Sequence, residues 1–147
     1  MEKNMPYEDE IPPHGNLMDV SEELNLLSHA VIGAAIEVHR HLGPGLPEEV
    51  YERAMDVELS LRGIPFERQK PIEIVYKNVV VGRGKIDLLV GGRLVVEIKT
   101  VDALIAKHRL QARSYMRVIH EALGLLINFD VVLLKDGIRR VIDSDPF

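Results

Sequence analysis

Residues 84–100, GKIDLLVGGRLVVEIKT, carry the reading that decides the fold. The run splits into two short strands, 85–90 and 94–100, around a turn at Gly91-Gly92. Ile86, Leu88 and Val90 alternate with Lys85, Asp87 and Leu89; Leu94, Val96 and Ile98 alternate with Val95, Glu97 and Lys99. Successive strand residues face opposite ways, so each strand has one apolar face, and Asp87, Glu97 and Lys99 fall on the other. A two-residue loop would set Asp87 opposite Val96. A three-residue loop, Gly91-Gly92-Arg93, pairs Val90 with Leu94 and sets Asp87 opposite Glu97. Glycine supplies the positive φ that this loop needs, and this register keeps both apolar faces on one side. Facing residues have Cβ atoms about 4.5–5.5 Å apart, a destabilising distance for two like charges unless something neutralises them. Two readings follow: a divalent cation between the carboxylates, or two solvated surface acids.

Upstream, residues 21–42 read as a long helix. Asp19 and Glu22 resemble a capping box, and Leu24, Leu27, Val31, Ala34 and Val38 form an apolar stripe that Leu26, Ala30, Ile32 and Ile36 widen. Gly43-Pro44-Gly45 stops it. His39 and His41, two apart on its last turn, do not share a face, which argues against a metal pair. A second helix runs from Pro47 to about Arg62, with Gly63 as its stop and Val50, Ala54, Val57 and Leu61 as its core stripe. Glu48, in its first turn, reads on these grounds as a capping acid. Segments 66–70, 72–76 and 79–82 read as strands, with a turn at Lys77-Asn78, so that an antiparallel meander leads into the opening hairpin.

Downstream, residues 102–122 read as a helix with Leu104, His108, Gln111, Tyr115 and Val118 on one face. Arg109, Arg113 and Arg117 lie opposite, as a solvated face or a phosphate track. Residues 125–129 have the size of a buried strand, and 135–142 add a last strand after an Asp136-Gly137 turn. A helix before the meander and one after it would cover the two faces of the sheet.

The chain has 147 residues, 46% of them hydrophobic, enough for one domain with a proper core. It has no cysteine, so disulfides and thiolate metal sites are excluded and oxygen and nitrogen ligands must carry any metal chemistry. No apolar run approaches ~18–20 residues, and the acidic start MEKNMPYEDE is unlike a signal peptide, so a cytoplasmic protein without membrane contact is expected. The net charge of −5 is concentrated in residues 1–20, which carry −4 of it and read as a flexible acidic arm. Residues 21–147, read as a single domain, are near neutral, so charge is no obstacle to a polyanionic partner.

Three motifs carry a resemblance. Asp87 followed by Glu97-Ile98-Lys99 resembles the PD-(D/E)xK nuclease signature. Gly45-Leu46-Pro47-Glu48-Glu49-Val50-Tyr51 matches the GxxExxY motif of a small prokaryotic family placed in that superfamily. Gln111-Ala112-Arg113-Ser114-Tyr115 resembles the QxxxY motif of its RecB-like and CRISPR-associated exonuclease branch. Glu37-Val38-His39-Arg40, Leu42-Gly43-Pro44-Gly45, Tyr76-Lys77 and Leu126-Ile127-Asn128-Phe129 extend the similarity over about 28–141. Lys85-Ile86 stands where the superfamily name has proline, and Asn78 and Asp130 stand where the family has glycine. The resemblance implies an α/β, restriction-endonuclease-like core: a central mixed sheet with an antiparallel meander, flanked by helices. It implies a nuclease dependent on Mg²⁺ or Mn²⁺, with Asp87, Glu97, the Ile98 carbonyl and Glu48 at the metal and Lys99 at the attacking water. Gln111 and Tyr115, with Lys107 and His108 beside them, would meet the substrate, DNA before RNA. A homodimer is left open, as are two rival readings: a catalytically silent nuclease-fold binding module and a metal-stabilised structural domain.

Overall fold

A computed structural model describes residues 21–143. The acidic arm, and Asp19 with it, lie outside the described residues. Helices α1 (Glu22–Leu42) and α2 (Glu48–Leu61) come first, followed by strands β1 (Phe66–Tyr76), β2 (Val79–Val90) and β3 (Leu94–Lys99). Helix α3 (Ala106–Val118), strand β4 (Leu123–Asn128), a 3-10 turn (Leu134–Gly137) and strand β5 (Ile138–Ile142) complete the described part. The strands lie in sequence order in one sheet. All neighbours are antiparallel except β3 and β4, whose parallel pairing requires a crossover, and α3 supplies it. The result is the α/β, restriction-endonuclease-like arrangement expected, a mixed sheet with an antiparallel meander between helices.

Both faces of the sheet are buried at its centre. Leu88, Val90, Leu94, Val96 and Ile98 pack with Leu125 and Ile127 against α1 and α2. Ile72, Leu89, Val95, Leu126 and Val141 pack against Ala112 and Met116 of α3. Strands β3 and β4 are therefore buried on both faces, and a polar side chain there has to be held by specific partners.

The opening hairpin takes the three-residue register: Val90 pairs with Leu94, Leu89 with Val95 and Leu88 with Val96. Gly91 and Gly92 sit at φ 61° and 72°, and the Arg93 N–H closes the turn on the Val90 carbonyl at 3.1 Å. At the other end of β2, Lys77 and Asn78 have φ of 49° and 68°, the left-handed pair of a tight hairpin, so Asn78 adopts the conformation glycine would take. The separate strand segments merge: 66–70 and 72–76 are one strand, and 79–82 runs on into the first strand of the hairpin, leaving a three-stranded meander. Pro71 does not break β1, because β1 is an edge strand with one side free of ladder bonds.

Four expectations about the helices need correction. Helix α1 is capped by Ser21, whose hydroxyl accepts the Leu24 N–H at 3.1 Å, and Leu26 is exposed instead of widening the apolar stripe. Helix α2 turns a different face inward. Tyr51, Met55 and Leu59 are fully buried, whereas Val50, Val57 and Leu61 of the expected stripe are 38%, 60% and 77% exposed. Helix α3 starts at Ala106, not Asp102, because the Asn128 side chain seizes both backbone groups of Val101, at 3.1 and 2.9 Å, and keeps the bend that follows out of the helix. The arginine stripe is neither a solvated face nor a phosphate track at two of its positions: Arg113 and Arg117 both pair with Asp143, each at 3.2 Å.

The revised face of α2 has a direct test. Met55→Ala should destabilise the protein by about 2–5 kcal/mol in urea unfolding, and Val57→Ser should stay within about 0.5 kcal/mol; the reverse order would restore the original stripe.

Candidate functional site

The β2–β3 ladder stops at Leu88↔Val96, one step before Asp87 and Glu97. Beyond that pair the carboxylates take over the role of carbonyls. The Asp87 N–H donates to Glu97 Oε2 at 3.1 Å, and the Ile98 N–H donates to Asp87 Oδ2 at 2.8 Å. The two acids face each other, as the register requires, but each is anchored on the other strand's backbone. Glu97 is 3% exposed and Asp87 half-buried.

Burial, and then the charge of Asp87, push the Glu97 carboxyl up from an ordinary 4.5 to about 8; the Asp87 N–H and Lys99 oppose this, and Glu48 adds to it. Asp87 is also raised, by burial, against the lowering effects of the Ile98 N–H, Lys99 and Gln69. Glu48 is raised by burial and by Asp87, against Lys99, with a further push from Glu52. These mutual effects place Glu48, Asp87, Glu97 and Lys99 in one electrostatic neighbourhood.

Glu48 reaches it because of the loop before α2. Gly45 has φ 101°, a backbone that glycine alone adopts readily. The Tyr51 hydroxyl donates to the Gly43 carbonyl and accepts the Leu46 N–H at 3.1 Å, while its ring stacks on Phe129 with centroids 4.6 Å apart. Gly45, Glu48 and Tyr51 thus form one device: a turn, the acid that opens the helix, and an anchor one turn later that fixes the turn to the core.

On the opposite side Lys99 Nζ donates to Gln111 Oε1 of α3 at 3.3 Å, bringing the third residue of the Glu-Ile-Lys run together with the first of the QxxxY run. Tyr115 lies over Gly84, where an added Cβ would come within 2.9 Å of its hydroxyl. Gly84 leaves room for that approach. His108 Nδ1 accepts the Ile105 N–H at 3.1 Å and so acts as a cap of α3. Lys107 is exposed in the first turn of α3. Among the described residues no three acidic or histidine side chains converge closely enough to cage an ion by themselves. His39 and His41 are apart, as expected: His39 is buried with Nε2 on the Val131 carbonyl at 2.8 Å, and His41 turns back to Glu37.

Two residues escaped the sequence reading. Gln69 of β1 donates Nε2 to Glu52 Oε2 at 2.6 Å and to Asp87 Oδ1 at 3.4 Å. Glu52 was legible, one turn after Glu48 on the same helix face. Gln69 gave no signal, being one polar residue in a strand segment.

The raised carboxyl of Glu97 sets a pH dependence. Its folded value exceeds the unfolded one, so the stability it contributes is complete below pH 4.5 and is lost as pH rises through about 8. Asp87 and Glu48 act in the same direction. Metal-free protein should therefore lose melting temperature steadily across that window and level off above it, and Glu97→Gln should flatten most of the slope. A melting temperature independent of pH between those limits would contradict the burial of this carboxylate.

Residues 25–141 match the description of the PD-(D/E)XK nuclease superfamily. No curated protein and no solved structure matches the chain. The matched span takes in Glu48, Asp87, the Glu97-Ile98-Lys99 run and Gln111, together with every strand of the sheet down to Val141, and on that match the chain belongs to the PD-(D/E)XK nuclease superfamily.

Proposed function

We propose that this protein is a divalent-metal-dependent nuclease that hydrolyses phosphodiester bonds in DNA, with Asp87, Glu97, Lys99 and Glu48 at its reacting centre. The observation that carries the reading is the meeting of Asp87 and Glu97 at the interrupted ladder, with Lys99 two residues along the same strand. Superfamily membership makes a nuclease-type hydrolase and a nucleic-acid substrate the starting point. Within it, the Gly45–Glu48–Tyr51 device and the Lys99–Gln111 contact favour the GxxExxY family and the branch that carries QxxxY.

The donor set fits a hard cation. All three acids are oxygen ligands, their carboxyls are raised by burial, those of Glu97 and Glu48 also by the charge of Asp87, and a positive ion would favour the ionised forms. Mg²⁺ keeps several waters and needs only one or two carboxylates, so a two-acid site is sufficient. Asp87 and Glu97 would hold Mg²⁺ or Mn²⁺ directly with the Ile98 carbonyl, and Glu48 would hold it through water. When bound, such an ion neutralises charge on the phosphoryl group and lowers the pKa of a bound water.

The chain's own groups do the rest. Lys99, held by Gln111, keeps an ammonium beside Glu97, where it orients the attacking water and offsets negative charge growing on phosphorus oxygens. Tyr115, Lys107 and the outer nitrogen of His108 stand along α3 as contacts for the sugar–phosphate backbone. In the overall reaction the water oxygen bonds to phosphorus, the bridging P–O bond breaks, and the water's proton ends on the leaving oxygen. The setting proposed is cytoplasmic, and a homodimer would let two small domains embrace a duplex.

Purified protein should cleave single- or double-stranded DNA with Mn²⁺ or Mg²⁺ and not with EDTA, and Asp87→Ala, Glu97→Ala and Lys99→Ala should each lower the rate by at least about 10²-fold. Mn²⁺ should raise the melting temperature, more at pH 8 than at pH 5, because only ionised carboxylates bind it. No cleavage, no metal binding by calorimetry and no effect of Asp87→Ala would defeat the proposal. One observation favours the rival, a catalytically silent binding module: both central carboxylates already have backbone N–H partners. That reading predicts DNA binding unchanged by Glu97→Ala and Lys99→Ala.

A further inference from the structure

Besides a register shift between Ile74 and Val75, alternation fails at a second step of the β1–β2 ribbon, nearer the hairpin. Phe66 and Leu88 belong to the core under α1 and α2, whereas Ile72 and Ile86 belong to the core under α3. Ile86 and Leu88 are two apart and should share a face. The ladder records the same fault, pairing Arg68 with Leu88 and Lys70 with Ile86 but nothing between them. The unpaired step is Gln69 opposite Asp87.

Gln69 has φ 53°, and among the described residues it is the one non-glycine with positive φ inside a strand. Such a backbone is strained for a residue with a long side chain. Its effect is visible in two contacts. Arg68 reaches Asp56 of α2 at 3.9 Å, and its neighbour Gln69 reaches Glu52 of the same helix at 2.6 Å. In a regular strand those side chains would point to opposite faces. The left-handed residue turns the amide back towards α2, where it also meets Asp87 Oδ1, while Asp87 Oδ2 takes the Ile98 N–H.

We propose that Gln69 is a positioning residue: its amide, braced by Glu52, holds Asp87 in the orientation that the metal requires and ties α2, which opens with Glu48, to β2. The proposal rests on the reading of Asp87 as a metal ligand. Both oxygens of Asp87 then have fixed donors, one from β1 and one from β3, and the carboxylate cannot rotate without breaking one of them. Glu52 supplies the acceptor that stops the Gln69 amide from turning away.

Two substitutions separate this role from a structural one. Gln69→Gly removes the amide and relieves the backbone; Gln69→Met removes the amide and keeps the strain. Gln69→Met should melt lower than wild type and Gln69→Gly should not. Both should weaken Mn²⁺ binding in calorimetry by about tenfold or more, the usual effect of losing a group that orients a ligand. Both should lower kcat with little change in KM for DNA. Both should speed exchange of the Ile98 amide, measured without metal, by about tenfold, since its acceptor is no longer held. Glu52→Ala should reproduce part of each loss, and Glu52→Gln, which keeps an oxygen acceptor, should recover it. Wild-type Mn²⁺ affinity and wild-type Ile98 exchange in both Gln69 variants would overturn the proposal, whatever their melting temperatures. If wild-type protein itself neither binds Mn²⁺ nor cuts DNA, the nuclease reading fails separately. The Ile98 amide then decides alone: faster exchange in both variants supports the positioning role, and unchanged exchange ends it.

Discussion

Two backbone N–H groups that would ordinarily meet carbonyls meet carboxylates instead. The site depends on this exchange. The Asp87 and Ile98 N–H groups must find acceptors in a sheet whose two faces are both covered, and Glu97 and Asp87 supply them. The price is two acids close together in a poorly solvated place. Each N–H bond favours the ionised form of its acceptor, yet burial outweighs it at both positions, so the pair is raised overall. A site in this condition is satisfied geometrically and unsatisfied electrostatically, which suits it to a cation.

Three elements meet at that place, each fastened by a different kind of contact. Helix α2 is fixed by an aromatic stack and a hydroxyl, through Tyr51 on Phe129 and the loop at Gly43 and Leu46. Helix α3 is fixed by packing at Ala112 and Met116 and touches the site through Gln111. The chain leaving β3 is held by the Asn128 amide at Val101, and the Phe129 N–H adds a bond to the Lys99 carbonyl at 3.0 Å. The parallel β3–β4 pair brings all of these to the ends of two adjacent strands, where an α/β sheet ordinarily opens a binding crevice.

How much of this was legible follows from the range of each interaction. The hairpin register was, because Gly91, Gly92 and the alternation of Leu94, Val96 and Ile98 are local constraints that agree. The facing of Asp87 and Glu97 followed from it. The inward face of α2 was not legible. That helix carries two apolar stripes, and the choice between them is made by Tyr51 reaching Phe129, a contact across 78 positions of chain. The start of α3 failed for the same reason: residues 102–105 are compatible with helix, and Asn128, 27 residues from Val101, overrides them. Ile86 was assigned to the wrong face because alternation assumes a regular strand, and no single residue announced that Gln69 would turn left-handed. The irregularity at Gln69 was the least visible part, since its stabilising partners are all tertiary.

The β1–β2 ribbon is longer than the sheet that supports it. β3 pairs only with the last three residues of β2, and the far end, with Val75, Tyr76, Val79 and Val81 largely exposed, has no third strand beside it. A two-stranded ribbon has little independent stability, so its outer amides are expected to open to solvent through local fraying more readily than those of β3. Asp87 stands where β2 leaves its pairing with β3. The residue at the centre of the proposed site is therefore also the point where β2 parts from β3, and the amide and backbone bonds that hold the Asp87 carboxylate tie the ribbon to the strand that carries Glu97 and Lys99.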